Sequence, residues 1–396
     1  MSDPRSTAGA RPGRSPRRAL LAGFLAVLAA AMTLPWLPPM RSLDLNWLDL
    51  QFRWLRQAAP LPARHEAVIV GIDDDTLREL DVPLSILHAQ LGEALVALAR
   101  ARPLAVGLDI ALPEGSFDKV KPGLDLALAR GILQLKTVAP LVLGVTADSR
   151  GRPRPLHRPF AALAGEGGLG YVLLPQDADG ALRRYDDRLG ASGERVPTLA
   201  GQLARALGAE PRPGLVNYAL GKPLRYVPLQ QVLAWAAEDD GRRLAEAFGG
   251  RIVLIGSVLS FEDRHPVAVA LAGWEPEARL VPGVAVQAQH VLTLAEDRIV
   301  SELPLPWLVL LLGVAAAFWW IAPGRYALAG VALFGAAVAG TGVGLLRAGV
   351  FVPGQNLEYQ KGEMTCLLMP QGAVESGDDY EVVRFREMIR ETSSDG

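Results

Sequence analysis

The chain has 396 residues, of which 50% are hydrophobic, and a formal net charge of −2. This composition is too apolar for an ordinary soluble protein and too polar for a many-helix transporter, and it offers no basic surface for nucleic acid. The single cysteine, Cys366, excludes an intramolecular disulfide and a thiolate zinc site. We therefore expect no metal and no cofactor, and a length that accommodates membrane segments with one sizeable domain.

Three apolar segments, 19–40, 303–324 and 325–347, are each long enough to span a bilayer as a helix. Five arginines lie within residues 1–18, and positive residues remain on the cytoplasmic side. The sequence therefore predicts a cytoplasmic N-terminus, one transmembrane helix, an extracytoplasmic domain over 41–302, and two further transmembrane helices. A cleavable signal peptide ending near Ala29–Ala31 is the alternative interpretation of the first segment.

Small residues repeat at a spacing of four in the third segment, at Ala332, Ala336, Gly340 and Gly344. Small residues on one helix face allow a second helix to approach closely. That helix is either the second segment of the same chain or another copy, which would make a homodimer. The remaining stretch, 348–396, is polar and acidic, and we expect a largely disordered tail.

The exported region begins with an amphipathic helix pattern over 43–54. A continuous apolar run, Val68–Ile72, is typical of a strand buried on both faces, and Asp73, Asp74 and Asp75 follow it. A helix over 85–101 leads to a second buried strand that ends near Asp109. This strand–helix–strand order predicts parallel pairing.

Further elements follow at short intervals. We predict a helix over 125–135, a strand over 139–145, two antiparallel strands joined at the turn 177–180, a helix over 196–207, a strand over 250–257 and a helix from Pro282–Gly283. Together these elements predict an α/β fold: a single extracytoplasmic three-layer domain with a mostly parallel sheet. One transmembrane helix precedes the domain and two follow it.

Charged residues at three places are candidates for chemistry. Asp73, Asp74 and Asp75 lie at the carboxyl end of a strand, where they could bind a metal or act as acid and base, but helix capping and a solvated surface are the simpler interpretation. Arg183 and Arg184 could hold an anion, or they are surface charges of a hairpin. Asp263 with His265 is a solvated loop pair on the simpler interpretation, and nothing flanking these residues matches a hydrolase or dinucleotide motif.

The order of these landmarks resembles the type 2 CHASE family, the extracellular sensors associated with cyclases and histidine kinases. The resemblance covers about 43–300 and rests on Ile72-Asp73-Asp74-Asp75-Thr76-Leu77, the strand ending in Asp109, the set Asp177, Asp179, Gly180, Arg183 and Arg184, the pair Asn217-Tyr218, the strand 250–257 with Asp263 after it, and Pro282, Gly283, Val284 and Ala288.

This resemblance implies a sensory module in a bacterial inner membrane whose domain binds an unknown small-molecule or protein signal. The ligand-binding residues that we carry over are Asp73, Asp74, Asp109, Asp179, Arg183, Asn217 and Asp263. The polar tail offers no room for a cyclase, kinase or phosphatase, so we expect no enzyme activity and an output in a separate partner protein. An assembly protein that uses the sensor fold as a scaffold is the alternative, and an exported enzyme is the third hypothesis.

Overall fold

The computed structural model describes residues 38–148, 152–189, 193–304 and 325–353, with short pieces of 21–29 and 306–314. These residues form two compact units, one containing 52–299 and the other containing 300–353 with the chain up to 51. Most of the predicted membrane segments 19–40 and 303–324, and nearly all of the predicted tail, lie outside the described residues.

The larger unit alternates helices and strands along the chain, as the apolar patterns predict. Its elements are α1 (Pro38–Ala58, which begins in the smaller unit), β1 (Ala67–Ile72), α2 (Asp74–Leu80), α3 (His88–Ala101), β2 (Ala105–Asp109), α4 (Leu124–Lys136), β3 (Leu141–Val145), α5 (Arg158–Ala164), β4 (Leu169–Tyr171), β5 (Arg184–Tyr185), α6 (Leu199–Ala206), β6 (Gly214–Leu215), β7 (Arg225–Pro228), α7 (Leu229–Ala237), α8 (Gly241–Phe248), β8 (Ile252–Ser257), β9 (Arg264–Pro266), β10 (Leu280–Pro282) and α9 (Gly283–Ala295). Short 3₁₀ helices occur at Leu84–Ile86 and Phe117–Lys119.

Six strands form one sheet in the order β4-β3-β2-β8-β1-β7, and every pairing between neighbours is parallel. This confirms the mostly parallel α/β fold. The predicted parallel orientation of β1 and β2 is confirmed, but the two strands do not pair with each other, because β8 lies between them and pairs with both. β8 is the last of the six strands in the sequence, yet it lies at the centre of the sheet. No local sequence pattern indicates this long-range pairing.

Helices cover both faces of the sheet. On one face, alternate strand residues such as Val70, Leu108 and Ile255 pack with the buried sides of α3, α4, α5, α7 and α8 in a single hydrophobic core. On the other face, α6 and α9 pack on the central strands. Glycines make room there, since a Cβ on Gly107 would lie 2.8 Å from Leu203 Cδ1 of α6. The arrangement is the predicted three-layer one.

α3 and α4 cross with their backbones in contact. A Cβ on Gly131 of α4 would lie 2.8 Å from Gly92 Cα of α3 and closer still to the Gly92 carbonyl oxygen. Glycine at both positions therefore sets the distance between the two helices, because any larger residue would force the backbones apart.

The predicted antiparallel pair around residues 177–180 is wrong in its pairing, although the tight turn itself forms. Gly180 has φ +80° and donates its N–H to Asp177 O at 2.8 Å. The strand before the turn, β4, extends the open edge of the sheet beside β3, and β5 pairs instead with β6. Adding a strand to an existing sheet edge buries more backbone than an isolated hairpin does.

In the smaller unit, α10 (Arg325–Arg347) coincides with the third predicted membrane segment. Within the described residues it is the one helix whose length and apolar composition would allow it to cross a membrane. Two short parallel strands, β11 (Ser301–Glu302) and β12 (Val350–Phe351), join the chain before and after the two predicted helices. Ala332, Ala336, Gly340 and Gly344 are all exposed on α10.

Candidate functional site

The strand order reverses its direction at the centre of the sheet. From β1 the chain proceeds to β2, β3 and β4 on one side and later to β7 on the other, with β8 filling the central place. Open parallel sheets bind ligands in the crevice at the carboxyl ends of the strands at such a switch point. The residues that end β1, β8 and β2 there are Ile72, Ser257 and Asp109, in register with one another or within one residue.

Asp73 follows β1 directly and caps α2. Its Oδ1 accepts hydrogen bonds from the Thr76 N–H at 2.7 Å and from Thr76 Oγ1 at 2.6 Å. Its Oδ2 accepts from the Tyr226 hydroxyl of β7 at 3.1 Å. Burial, followed by the charge of Asp73, raises the pKa of Tyr226 to about 12. Asp73 therefore caps α2, and Tyr226 is a further hydrogen-bond donor to its carboxylate.

Asp109 differs from Asp73 because its carboxyl group is not held. No side-chain hydrogen bond or ion pair connects it to any of the described residues. Burial raises the pKa of Asp109 well above its ordinary value, and the nearby Asp263 carboxylate raises it further. A carboxyl group in this environment favours its protonated form, and such perturbed groups cluster at functional sites.

Asp263, in the loop after β8, is held on several sides. Its backbone has φ +51°, in the left-handed region that few non-glycine residues adopt. Its carbonyl oxygen accepts the Gly283 N–H at 2.8 Å, and its Oδ1 lies 2.8 Å from His265 Nε2. The carboxylate also packs against Gly283 at the start of α9, where a Cβ would overlap it. A negative charge is favourable at a helix N-terminus, so the start of α9 stabilises the Asp263 carboxylate in this orientation.

The long loop between β8 and α9 encloses the same edge. Arg264 binds Glu275 through two hydrogen bonds of 2.9 and 2.7 Å. Trp274 packs its ring against Tyr226, with centroids 4.8 Å apart. Burial and the charge of Asp263 raise the pKa of Glu262, while the neighbouring Phe261 is 75% exposed. The loop therefore contains a second carboxyl group with a raised pKa and an exposed aromatic ring.

Asp179 and Arg183 lie in the turn before β5. Arg183 donates to both carboxylate oxygens of Asp179 at 2.8 Å and to Asp177 at 3.2 Å, and it is 2% exposed. Asp177 also accepts from Arg184 Nε at 2.9 Å. Burial raises the pKa of Asp179, but the hydrogen bonds and charge of Arg183, together with backbone N–H groups, lower it below its ordinary value. The geometry gives these residues a structural role, and their role in ligand binding stays a prediction.

Asn217 follows β6. It is buried, its Oδ1 accepts the Ala219 N–H at 3.1 Å, and its carbonyl oxygen accepts Gln289 Nε2 of α9 at 2.7 Å. This arrangement fixes a turn against α9. Asp74 is the first residue of α2 and is only partly buried. Ligand binding by either residue stays a prediction.

Of the seven residues predicted from sequence, the fold brings Asp109 and Asp263 together and places Asp73 at the same edge of the sheet. Sequence reasoning missed Tyr226, Trp274 and Glu262. No sequence signal links Tyr226 to Asp73, because their contact depends on the placement of β7 beside β1. Within the described residues, no group of three or more His, Cys, Asp or Glu side chains could hold a metal ion.

Comparison with known proteins gives one result. A protein-family model described as the CHASE2 domain matches residues 23–335, which is most of the chain. Neither the curated proteins nor the solved structures give a match.

Proposed function

This chain belongs to the CHASE2 domain family, and we propose that it is a membrane-anchored sensory module that binds its signal at the carboxyl edge of the sheet. CHASE2 domains are extracellular sensory domains of signalling proteins. The ligand site that we propose is centred on Asp109 and Asp263, with Asp73, Tyr226 and the loop after β8 around it.

The unpaired carboxyl group of Asp109 is the observation that carries this proposal. A carboxyl group whose pKa is raised by burial and by a second carboxylate destabilises its surroundings when it ionises without a partner. A ligand that supplies a positive charge or several hydrogen-bond donors would relieve this cost. The proposal therefore favours amines and polyhydroxyl compounds over anions.

The membrane arrangement supports an extracytoplasmic position for this domain. We propose three transmembrane helices, over 19–40, 303–324 and 325–347, in a bacterial inner membrane. The apolar helix α10 and the arginine-rich N-terminus support this topology. Counting crossings from a cytoplasmic N-terminus places the acidic tail with Cys366 on the same side as the sensory domain.

The output belongs to a separate protein in this proposal. The chain is not an enzyme, and it passes its signal to a partner that carries the activity, either as a monomer or as a homodimer through the small residues of α10. The runner-up is a scaffold for membrane assembly. A partner that copurifies whether or not a small molecule is present would favour the scaffold.

A thermal-shift screen of the full chain in detergent tests the proposed function. At about 100 times its Kd, a ligand stabilises the folded state by about 2.7 kcal/mol, which raises the melting temperature of a domain of this size by roughly 5–10 °C. We expect an amine or polyhydroxyl compound to produce such a shift in the wild type and in Asp239→Asn, whose side chain is 88% exposed. The shift should disappear in Asp109→Asn. A hit that shifts all three proteins equally would contradict the proposed site.

A further inference from the structure

His88, the first residue of α3, is buried in an unusual environment. It is 2% exposed, and its ring packs against Phe117 and Phe160, with centroid distances of 4.7 and 6.2 Å. Neither ring nitrogen has a hydrogen-bond partner in the described part of the chain. A neutral imidazole has one N–H donor and one nitrogen acceptor, so both polar atoms of the His88 ring are buried without a hydrogen bond.

A phenyl ring would suit this pocket better than an imidazole. Unpaired buried polar atoms destabilise a fold, and an apolar ring of similar size would avoid this cost. What distinguishes histidine from phenylalanine here is its ability to take up a proton near neutral pH. Packing therefore does not explain His88, whereas titration would.

Two titratable groups face His88 from the elements that surround it. They are Asp125 at the start of α4 and His157 just before α5. Asp118, on the 3₁₀ helix that carries Phe117, accepts the Asp125 N–H at 3.0 Å, and Lys119 and Arg158 are exposed. Burial lowers the pKa of His88, Asp125 opposes this effect, and His157 adds to it.

Asp125 connects His88 to the loop that follows β2. Its Oδ1 accepts the Phe117 N–H at 3.2 Å, and its Oδ2 lies 3.6 Å from His157 Nε2. The backbone N–H of His157 donates a hydrogen bond to Pro113 O at 2.9 Å. The loop over 112–123, which joins Asp109 to α4, is thus fastened around the His88 ring.

We propose that His88 is a proton sensor that couples acidification outside the cell to the loop 112–123. An imidazolium packed against two phenyl rings requires a hydrogen-bond partner or water, and the carboxylate whose charge acts on His88 is Asp125. Drawing Asp125 towards His88 breaks its bond to Phe117 and frees the loop next to Asp109. The physiological meaning rests on the extracytoplasmic position proposed above, but the test below does not.

The direction of the pH effect follows from the lowered pKa. The closed loop is fully stable while His88 is neutral in all states, above about pH 6.5. As the pH falls below this value, the opened loop gains its proton more readily than the closed one, so opening becomes more favourable. Each unit of lowering corresponds to about a tenfold change in the opening equilibrium.

Hydrogen exchange followed by mass spectrometry on the full chain in detergent measures this opening directly. After correction for the intrinsic effect of pH, amide exchange over 112–123 should rise as the pH falls from about 7.5 to 5, by about tenfold for each unit by which the closed loop lowers the pKa of His88. In His88→Phe, which keeps the ring, this rise should be absent. His65→Gln is the control, because His65 is bonded to Glu296 at 2.9 Å and should leave the response of this loop unchanged.

His88→Leu serves as a second variant without a titrating group. A wild type with no rise in exchange overturns the proposal, and so does an equal rise in the His88 variants. Failure of both variants to fold at neutral pH would overturn it as well, since the proposal requires that an apolar residue can replace the neutral imidazole. The melting-temperature shift that a ligand causes in Asp109→Asn tests only the proposed function. Either outcome of that experiment leaves the hydrogen-exchange test of His88 unaffected.

Discussion

Aspartates of this domain take opposite electrostatic roles because of what surrounds them. Asp179 is ionised against Arg183, which lowers its pKa, whereas burial and Asp263 raise the pKa of Asp109. The sequence predicts that both residues lie at turns or strand ends. It does not predict that their pKa values shift in opposite directions. The pairing of Asp179 depends on Arg183 being buried, although arginine in a turn is ordinarily exposed.

Replacing Asp109 with Asn should stabilise the domain at neutral pH. Below the unfolded pKa of about 3.9 both states carry the proton. As the pH rises above it, the unfolded chain releases its proton first, and the folded state loses relative stability through the raised pKa of Asp109. The Asp109→Asn variant should therefore melt above the wild type at about pH 7 and with it near pH 4, as followed by circular dichroism. A variant that melts below the wild type at neutral pH would contradict the raised pKa.

At the scale of elements, glycine positions decide how closely helices pack. Substituting Gly131 with Ala should destabilise the domain by about 1–3 kcal/mol, because the new methyl group overlaps the Gly92 backbone and the helices must separate. The better helix propensity of alanine, about 1 kcal/mol, offsets only part of this cost. Gly241→Ala is the matched control in α8, where the added Cβ meets nothing within 4 Å. Urea unfolding of both variants measures the difference, and equal stability would show that the crossing tolerates a wider spacing.

The elements with strong local patterns could be predicted from the sequence. The runs that became β1, β2, β3 and β8 are continuous and apolar, and α6 forms within the predicted range 196–207. The predicted elements omit β7, α7 and α8, which lie within 221–249, although Leu229 and Val232 are buried at helical spacing. Sheet order could not be predicted, because the insertion of β8 and the edge position of β4 depend on contacts between residues far apart in sequence.

At the scale of the whole molecule, the family is one of extracellular sensory domains, and α10 is a candidate membrane helix. The proposed ligand site, the proposed proton sensor and the proposed partner all depend on an extracellular position of the domain. Lys222 offers a suitable reporter, since its side chain is 90% exposed in the domain. A cysteine at this position would be readily accessible to a reagent on its own side of the membrane.

Labelling of Lys222→Cys, in a Cys366→Ser background, with a membrane-impermeant maleimide is the most direct measurement of the central claim. The account predicts full labelling in intact spheroplasts, equal to that after lysis. Ser15→Cys, in the arginine-rich N-terminus, is the matched control and should label only after lysis. Labelling of Lys222→Cys only after lysis would place the domain in the cytoplasm and contradict the account.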